Sequence, residues 1–461
     1  MEKSFTPHPS SYRDPSGFIF KQHGTLYRQV NKVFAPHFEE FVLSGCYQHL
    51  VDKQLLIPHR AVNQNLTGDT EGHTTLEPEP IPFISYPYEW SFDMLKDAAL
   101  LTLSLLKEAL GFGMILKDAS AYNIQWHQGK LIFIDTLSFE KYKEEEPWIA
   151  YRQFCEHFLG PLLIMHYSKK PMPQLLQAWP DGIPLPVTAS LLPRRSRFSL
   201  PVYLHIHLNA GMSTRPPANR NKKIRFSKQK LLNLVSSLES LTRKLQLPAA
   251  KSTWSNYYEE AGTRENYLEE KKKLIGEWLE TIPAIKTAAD LGANDGVFSK
   301  LCARKGIPVI SADFDPYCIN ALYLDLLKEG IKNIHPLVAD LSNPSPGIGV
   351  NNAERAPLTE RLQTDLTLAL ALIHHLAIGK NIPFDMIASF FAGICKQHLI
   401  IEFVPREDEK VKLMLSQKKD IYVNYSEEFF KDAFSRFFTI SQQQAVGHSG
   451  RTLYLMHKHE R

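Results

Sequence analysis

The stretch A-A-D-L-G-A-N-D-G, residues 288–296, decides the fold of the second half of the chain and runs on into V-F-S-K. A short apolar run ends at Asp290, a glycine-bearing turn follows, and a helical pattern begins after it. Gly292 and Gly296 allow positive φ angles and a close approach of backbone to a ligand that a side chain would block. The pattern predicts a strand–loop–helix unit that binds a small anionic or polar ligand.

Strand and helix patterns alternate downstream of this loop. The predicted strands cover residues 287–291, 308–313, 333–338, 365–370, 398–403 and 451–457, with helices near 297–305 and 316–329. Such alternation is typical of a parallel, doubly wound α/β sheet that binds ligands at the carboxyl ends of its strands.

Four elements occur in order: a D-x-G-x-N-x-G loop, an acid that ends the next strand, an Asp after the third strand and H-H-L after the fourth. Together they resemble a class I S-adenosylmethionine (SAM)-dependent methyltransferase. The resemblance implies a Rossmann-like domain with SAM as its cofactor. The implied cofactor-binding residues are Asp290 for the methionine ammonium, Gly292, Asn294 and Gly296 for the amino-acid tail, Asp313 for both ribose hydroxyls and Asp340 for the adenine amino group.

Several of these roles have alternatives. Asp313 could cap the helix that begins near residue 316, and Asp315 competes for the ribose. Asp340 could be a turn residue only. Asn294 stands where the family often has glycine, so we expect either a different bend of the loop or an amide contact to the ligand.

The resemblance places His374 and His375 at the strand end that faces the transferred methyl group. One of them, His375 first, could be a general base with a pKa near neutral, and the alternative is a purely structural histidine. Upstream, Trp254, Tyr257 and Tyr258 could cover the cofactor and shape the acceptor site. The insertion at residues 342–363 is longer than a strand–helix connection needs, so Arg355, with its neighbour Glu354, is a candidate for substrate contact.

The first half shows a hairpin pattern at residues 17–30 split by His23-Gly24. A helix is expected at 34–54, a polar surface loop at 63–82, and a strong helix at 91–110 that Ser91 can cap.

L-K-D-A-S-A-Y-N follows that helix, and a hairpin then returns F-I-D. Asp118, Asn123 and Asp135 in this order resemble the catalytic loop and metal-binding aspartate of the protein-kinase and aminoglycoside-kinase fold. The usual His-Arg or His-Gly is replaced by Leu-Lys, and a glycine-rich phosphate loop is not evident. The alternative is that these residues serve as turns and caps.

The predicted architecture is an α+β, kinase-like domain at 1–210, a basic linker with an amphipathic helix at 211–250, and the methyltransferase domain at 251–461. Over nearly its full length the chain is also similar to a bacterial group related to the host-specificity nodulation protein NoeA. The phrases that carry this similarity are GFIFKQHGTLYRQVN, LKDASAYNIQW, FIDTLSFE, NNAERAPLTERL, DLTLALALIHHLAIG and IEFVPREDEKV.

Composition bounds the setting. The 461 residues include five scattered cysteines without a C-x-x-C pair or metal-ligand spacing, which favours reduced, buried thiols in a cytoplasmic protein and no metal site. We expect no signal peptide and no membrane span. A net charge of +4 is mild. Basic residues at 215–230 leave nucleic acid possible, although a solvated linker is favoured, and the sequence is silent on oligomeric state.

The expected activity is therefore methyl transfer from SAM to an oxygen or nitrogen nucleophile of an unidentified acceptor, which could be a small molecule, a glycan or a protein. One alternative is a kinase-like module that binds a nucleotide or a partner and is fused to a methyltransferase. Another is a nicotinamide-dependent dehydrogenase, although Asp340 and H-H-L favour SAM.

Overall fold

The computed structural model describes residues 5–213, 225–248, 264–283, 285–416 and 422–460. The chain forms two compact units, of which the first comprises residues 1–248 with 347–355 and the second 249–346 with 356–461. The finer division with a separate 211–250 linker stays a prediction. Across the described ranges, no helix is both long and apolar enough to span a bilayer.

The first unit is α+β. Its described strands are β1 (Thr6–Pro7), β2 (Gly17–Gln22), β3 (Thr25–Asn31), β4 (His59–Val62), β5 (Gly72–Pro78), β6 (Met114–Leu116), β7 (Ile124–His127), β8 (Lys130–Phe133) and β9 (Phe139–Lys141). The first five form an antiparallel sheet in the order β1-β2-β3-β5-β4, while β6 pairs with β9 and β7 with β8.

Helices fill the rest of the first unit. Those described are α1 (Ala35–Leu43), α2 (Cys46–Asp52), α3 (Phe92–Gly111), α4 (Tyr151–Phe154), α5 (Gly160–Ser168), α6 (Leu175–Ala178), α7 (Leu185–Leu191), α8 (Leu200–Val202), α9 (Asn209–Ser213) and α10 (Lys228–Lys244). Short π-helical segments join α4 to α5 at Cys155–Leu159 and α8 to α9 at Tyr203–Leu208.

Turns at two glycines and one additional strand determine how residues 17–82 compare with their predicted structure. The hairpin of β2 and β3 turns at His23 and Gly24, which have φ angles of 50° and 82°, as expected for a tight two-residue turn. The predicted helix at 34–54 is broken into α1 and α2 by Gly45, whose φ is 81°. The surface loop expected at 63–82 is wrong, because β5 lies inside it between β3 and β4.

The predicted helix at 91–110 is α3, and its apolar side is buried. Ser91 occupies the N-cap position, but its side chain makes no capping hydrogen bond. The cap expected from that residue type is therefore not formed.

The second unit is the predicted doubly wound α/β domain. Its described strands are β10 (Ala288–Leu291), β11 (Val309–Asp313), β12 (Ile334–Val338), β13 (Thr364–Ala369), β14 (Cys395–Phe403), β15 (Phe438–Ala445) and β16 (Thr452–Lys458). They lie in the order β12-β11-β10-β13-β14-β16-β15. Strands β10 to β14 run parallel, whereas β16 is antiparallel to both β14 and β15. The sheet confirms the Rossmann-like fold, and β15 was not anticipated.

The described helices of the second unit are α11 (Arg264–Thr281), α12 (Val297–Arg304), α13 (Pro316–Glu329), α14 (Leu358–Arg361), α15 (Phe384–Ile394), α16 (Glu409–Ser416) and α17 (Glu427–Ser435). Strands β10, β12 and β13 are buried along their whole length, as expected for a sheet covered on both faces. All five cysteines of the chain are unbonded and buried.

Candidate functional site

The sheet of the second unit reverses its winding direction at β10. The chain first moves outward through β11 and β12, and it then returns to the other side of β10 as β13. In open α/β sheets, ligands bind outside the carboxyl ends of the strands at such a switch point. The loops after β10 and β13 meet there, since a methyl group added at Gly292 would lie 3.3 Å from Cδ1 of Leu372.

The loop after β10 turns on Gly292, Asn294 and Gly296, whose φ angles are 77°, 52° and 78°. The backbone N–H of Gly292 donates to the carbonyl oxygen of Ala312 at 2.8 Å, which ties the loop to the end of β11. Asparagine is among the residues other than glycine that best tolerate a positive φ. Asn294 can therefore hold a backbone position at which the family often has glycine.

Asp313 ends β11 and is buried. Its Oδ2 accepts the backbone N–H of Asn294 and its Oδ1 that of Asp315, both at 2.9 Å. Burial raises the pKa of Asp313 to about 6, although these hydrogen bonds oppose the shift. The sequence allowed Asp313 to cap α13, but the cap is Asp315, which accepts the N–H of Tyr317. The backbone of Phe314 is also hydrogen-bonded to the Asp313 carboxylate, so Asp313 is held by three neighbouring backbone groups.

Asp290 lies at the centre of this edge of the sheet and is also buried. Its Oδ2 accepts the hydroxyl of Ser299 at 2.7 Å, and Ser299 in turn lies 2.8 Å from the hydroxyl of Ser311. Burial raises the pKa of Asp290 to about 6, against the effect of Ser299 and of the charge on Lys271. The Ser299 hydroxyl of α12 thus lies between the carboxylate of β10 and the Ser311 hydroxyl of β11.

Asp340 follows β12 and performs the turn role. Its Oδ1 accepts the N–H of Ser342 at 2.9 Å and the hydroxyl of the same residue at 2.6 Å. Lys380 Nζ lies 3.5 Å from Oδ2. Burial raises the pKa of Asp340, but Ser342 and Lys380 outweigh it and leave the pKa below its ordinary value. The adenine contact stays a prediction.

His374 and His375 lie at the start of a π-helical turn after β13, with their ring centroids 4.0 Å apart. His374 is fully buried, and among the described residues its two ring nitrogens have no hydrogen-bond partner. Burial, followed by the charges on Lys410 and Arg451, lowers the pKa of His375 to about 4. The pKa of His374 is also lowered, first by burial. Both rings are therefore neutral at pH 7, whereas the sequence predicts a pKa near neutral.

A buried ion pair that the sequence did not predict lies beside these histidines. Lys271 Nζ of α11 is 2.6 Å from Glu402 Oε2, and both side chains are buried. The same Oε2 accepts the N–H of Ala371 at 2.7 Å, while Oε1 accepts the hydroxyl of Tyr267. Arg451 donates to that hydroxyl at 3.2 Å. The network fixes α11 against the carboxyl ends of β13 and β14.

One half of this pair carried a signal in the sequence. Glu402 ends an apolar strand, as Asp290 and Asp313 do, and strand-end acids are candidates for a site in this fold. Lys271 gave no signal, because it lies in the run E-E-K-K-K, where a solvated helix face is the ordinary outcome.

In the first unit, the structure brings Asp118, Asn123 and Asp135 together. The side chain of Asp118 is hydrogen-bonded to that of Asn123. The pKa of Asp118 is raised, first by burial and then by the negative charge on Asp135. The amide of Asn123 lies 3.4 Å from the hydroxyl of Ser138, which also donates to Asp135. Arg28 of β3 pairs with Asp135 at 2.5 Å. A basic side chain thus already neutralises the carboxylate that would hold a metal in the kinase-like arrangement.

Arg355 and Glu354 belong to the first unit, as part of residues 347–355. The guanidinium of Arg355 lies 4.2 Å from the ring centroid of Tyr122, between Asp118 and Asn123 in sequence. Its role in substrate binding stays a prediction, and its described contact with Tyr122 lies within the first unit.

Three candidates, Trp254, Tyr257 and Tyr258, lie outside the described residues. Within the described ranges, no group of three or more His, Cys, Asp or Glu side chains is arranged to hold a metal ion.

The chain is 32% identical to the nodulation protein NoeA of Rhizobium meliloti (strain 1021) over 460 residues, which cover 98% of this chain and 96% of that protein. No family model matches the chain. Magnesium protoporphyrin IX methyltransferase (ChlM) from Synechocystis PCC 6803, with bound SAH, aligns with 43% of this chain and 88% of its own at 12% identity and a TM-score of 0.32. The bifunctional kinase-methyltransferase WbdD aligns with 45% of this chain and 42% of its own at 18% identity and a TM-score of 0.29.

Proposed function

Because the chain belongs to the family of the nodulation protein NoeA, and because its second unit gathers a glycine loop and two buried strand-end carboxylates at one switch point, we propose that it is a SAM-dependent methyltransferase. The observation that carries the proposal is the hydrogen bond from the N–H of Asn294 to Asp313 at 2.9 Å. It joins the loop expected to bind the amino-acid tail to the carboxylate expected to bind the ribose.

The residues present fit that cofactor. Gly292 and Gly296 leave the loop without side chains where the backbone approaches the ligand. Asp290, whose pKa is raised to about 6 by burial, would gain a favourable charge partner from the methionine ammonium. Asp313 would accept the two ribose hydroxyls, and Asp340 the adenine amino group.

When bound, SAM supplies a methyl group that its positively charged sulfur already activates. The protein then has to hold the acceptor in line and remove its proton. His374 and His375 are neutral at pH 7, so one nitrogen of each ring can accept a hydrogen bond or a proton from an oxygen or nitrogen nucleophile, although their lowered pKa values make both rings weaker bases than free histidine. The acceptor would be a small molecule, a glycan or a protein side chain.

Isothermal titration calorimetry with SAM and with NAD tests the proposal. We expect saturable SAM binding that Asp313→Asn weakens roughly 10- to 100-fold, because a hydrogen bond to a charged group contributes about 1.5–3 kcal/mol. The matched control is Asp315→Asn, which removes a neighbouring carboxylate while asparagine still caps α13. Binding of NAD without SAM would instead support the dehydrogenase alternative, and transfer of radiolabelled methyl groups into fractionated extract would identify the acceptor.

A second candidate function concerns the first unit, which the convergence of Asp118, Asn123 and Asp135 favours as a nucleotide- or partner-binding module. The Arg28–Asp135 pair favours binding over metal-dependent phosphotransfer. Protection of residues 114–136 by ATP, measured with and without Mg²⁺, distinguishes the two, since phosphotransfer requires the metal.

A further inference from the structure

One segment of the first unit differs sharply in charge from the rest of the chain. Residues 182–238 contain no Asp or Glu and ten basic residues, namely Arg194, Arg195, Arg197, Arg215, Arg220, Lys222, Lys223, Arg225, Lys228 and Lys230. The whole chain has a net charge of +4, so everything outside this segment sums to −6. Such an asymmetry indicates an acidic partner for this segment.

A helical ribbon in this segment is apolar on two opposite sides. It runs from α8 through the π-helical Tyr203–Leu208 into α9. Val202, Ile206 and Ala210, four residues apart, form the inner side and are buried. A helix that is apolar all round is normally buried all round.

The inner side is held firmly. The ring of His205 is hydrogen-bonded to the hydroxyls of Tyr151 at 2.9 Å and Ser237 at 3.1 Å. The preceding 3-10 turn, Arg194–Phe198, is fastened to the ribbon by a 2.8 Å contact between Ser196 Oγ and His207 Nε2. These hydrogen bonds therefore fix the position of the ribbon and of its outer side.

The outer side is exposed to solvent. We define the apolar face as the exposed side chains of the turn and the outer ribbon: Phe198, Leu200, Tyr203, Leu204, Leu208 and Met212. Phe198 is 91% exposed, Leu200 67% and Met212 61%. The exposed side chains of Arg194, Arg195 and Arg197 lie on the same turn as Phe198. Contiguous exposed apolar side chains with a charged border mark an interaction site.

The chemistry of the apolar face selects its partner. Leu, Met and Phe side chains beside arginines are the composition of segments that lie in the interface of a lipid bilayer. Single-stranded nucleic acid is bound by arrays of stacking aromatic rings, whereas four of the six side chains of the apolar face are not aromatic rings that could stack. We infer that the apolar face binds the surface of an anionic membrane, with its apolar side chains in the headgroup–acyl boundary and Arg194, Arg195 and Arg197 against anionic headgroups.

Co-sedimentation of the full chain with phosphatidylcholine vesicles, with and without phosphatidylglycerol, tests the inference. We expect binding to the anionic vesicles that weakens at high salt, because salt screens charges at the surface. The double variant Phe198→Ser, Leu200→Ser should reduce the bound fraction at least roughly tenfold. The triple variant Arg194→Gln, Arg195→Gln, Arg197→Gln should reduce binding roughly 100-fold on anionic vesicles only.

The matched control is Val33→Ser, Leu43→Ser, which replaces two exposed apolar side chains of the first unit elsewhere in the sequence. It should bind as the unaltered chain does. Because every replaced side chain is exposed, we expect all the variants to fold. Unfolding curves check that they do. Failure to bind anionic vesicles overturns the inference. Equal binding by the Phe198→Ser, Leu200→Ser chain also overturns it, as does binding of polyuridylic acid in place of vesicles.

Discussion

Asp290 is a buried carboxyl group, and its surroundings in the protein favour the neutral form more than water does. Burial raises its pKa from 3.8 to about 6, because the Ser299 hydrogen bonds and the charge of Lys271 compensate only in part. A buried charged group that lowers the stability of the folded protein is typical of binding sites, where stability is lost in favour of function.

Replacing this carboxylate by an amide should stabilise the protein at high pH. Because the folded pKa of Asp290 lies above the unfolded value, the folded state binds the proton more tightly, and stability falls as the pH rises from about 4 to 6. At pH 8, Asp290→Asn should raise the free energy of unfolding by about 3 kcal/mol, the equivalent of the shift. Near pH 4 the gain should disappear. Urea unfolding at the two pH values measures both.

The control for loss of a surface charge is Asp385→Asn, which removes one partner of the exposed Arg436–Asp385 pair. It should change stability little at either pH. A constant effect of Asp290→Asn between pH 4 and pH 8 would contradict the role assigned to burial.

At the scale of elements, the glycine loop after β10 combines backbone conformation with a close contact. Gly292 has a φ of 77°, and a methyl group there would lie 3.3 Å from Leu372. Gly306, between α12 and β11, has nearly the same φ of 79°, but nothing lies within 4 Å of the position of its added methyl group. Alanine at either position would strain the backbone, but only alanine at Gly292 would also crowd a neighbouring side chain.

Both Gly292→Ala and Gly306→Ala should lose about 1–2 kcal/mol of stability, because left-handed backbone is unfavourable for residues with a Cβ. Only Gly292→Ala should also weaken SAM binding, since its methyl group enters the contact between the loops after β10 and β13. Unfolding midpoints and calorimetry of the two variants give the comparison. Equal loss of SAM affinity in both variants would place the ligand elsewhere.

Elements with strong periodicity were predictable from the sequence, and those that depend on distant partners were not. The run that ends at Asp290 becomes β10 because an apolar run before a glycine turn has few other stable outcomes. The polar composition of β5 concealed a strand whose pairing with β3 and β4 supplies its hydrogen bonds. Lys271 was hidden for the same reason, since its partner Glu402 is 131 residues away.

At the scale of the whole molecule, the first unit is discontinuous in sequence. Glu354, supplied by residues 347–355, accepts hydrogen bonds from the hydroxyl of Tyr12 at 2.9 Å and from Arg13 at 3.2 Å. Arg13 also pairs with Asp181 at 2.7 Å. Side-chain exposure is 5% for Glu354 and 76% for Asp181, so one arginine has a buried and an exposed partner.

Glu354→Gln should destabilise the first unit by about 1–3 kcal/mol, because the hydroxyl of Tyr12 and the guanidinium of Arg13 lose a buried, charged acceptor. Asp181→Asn should cost less than about 1 kcal/mol, because exposed ion pairs contribute little. Hydrogen–deuterium exchange of peptides covering residues 8–16 and 347–355 measures the difference. Similar protection in both variants would show that Glu354 does not hold these segments.

This discontinuity has a consequence for biosynthesis. When residue 248 leaves the ribosome, Glu354, the acceptor that Tyr12 and Arg13 share, has not yet been made, and residue 347 follows only 99 positions later. At about 5–20 residues per second, the nascent first unit waits roughly 5–20 s for the segment that completes it. During that interval an incomplete surface is exposed in the cell, so this protein should depend on chaperones or on translation speed in a way that an uninterrupted domain of the same size would not.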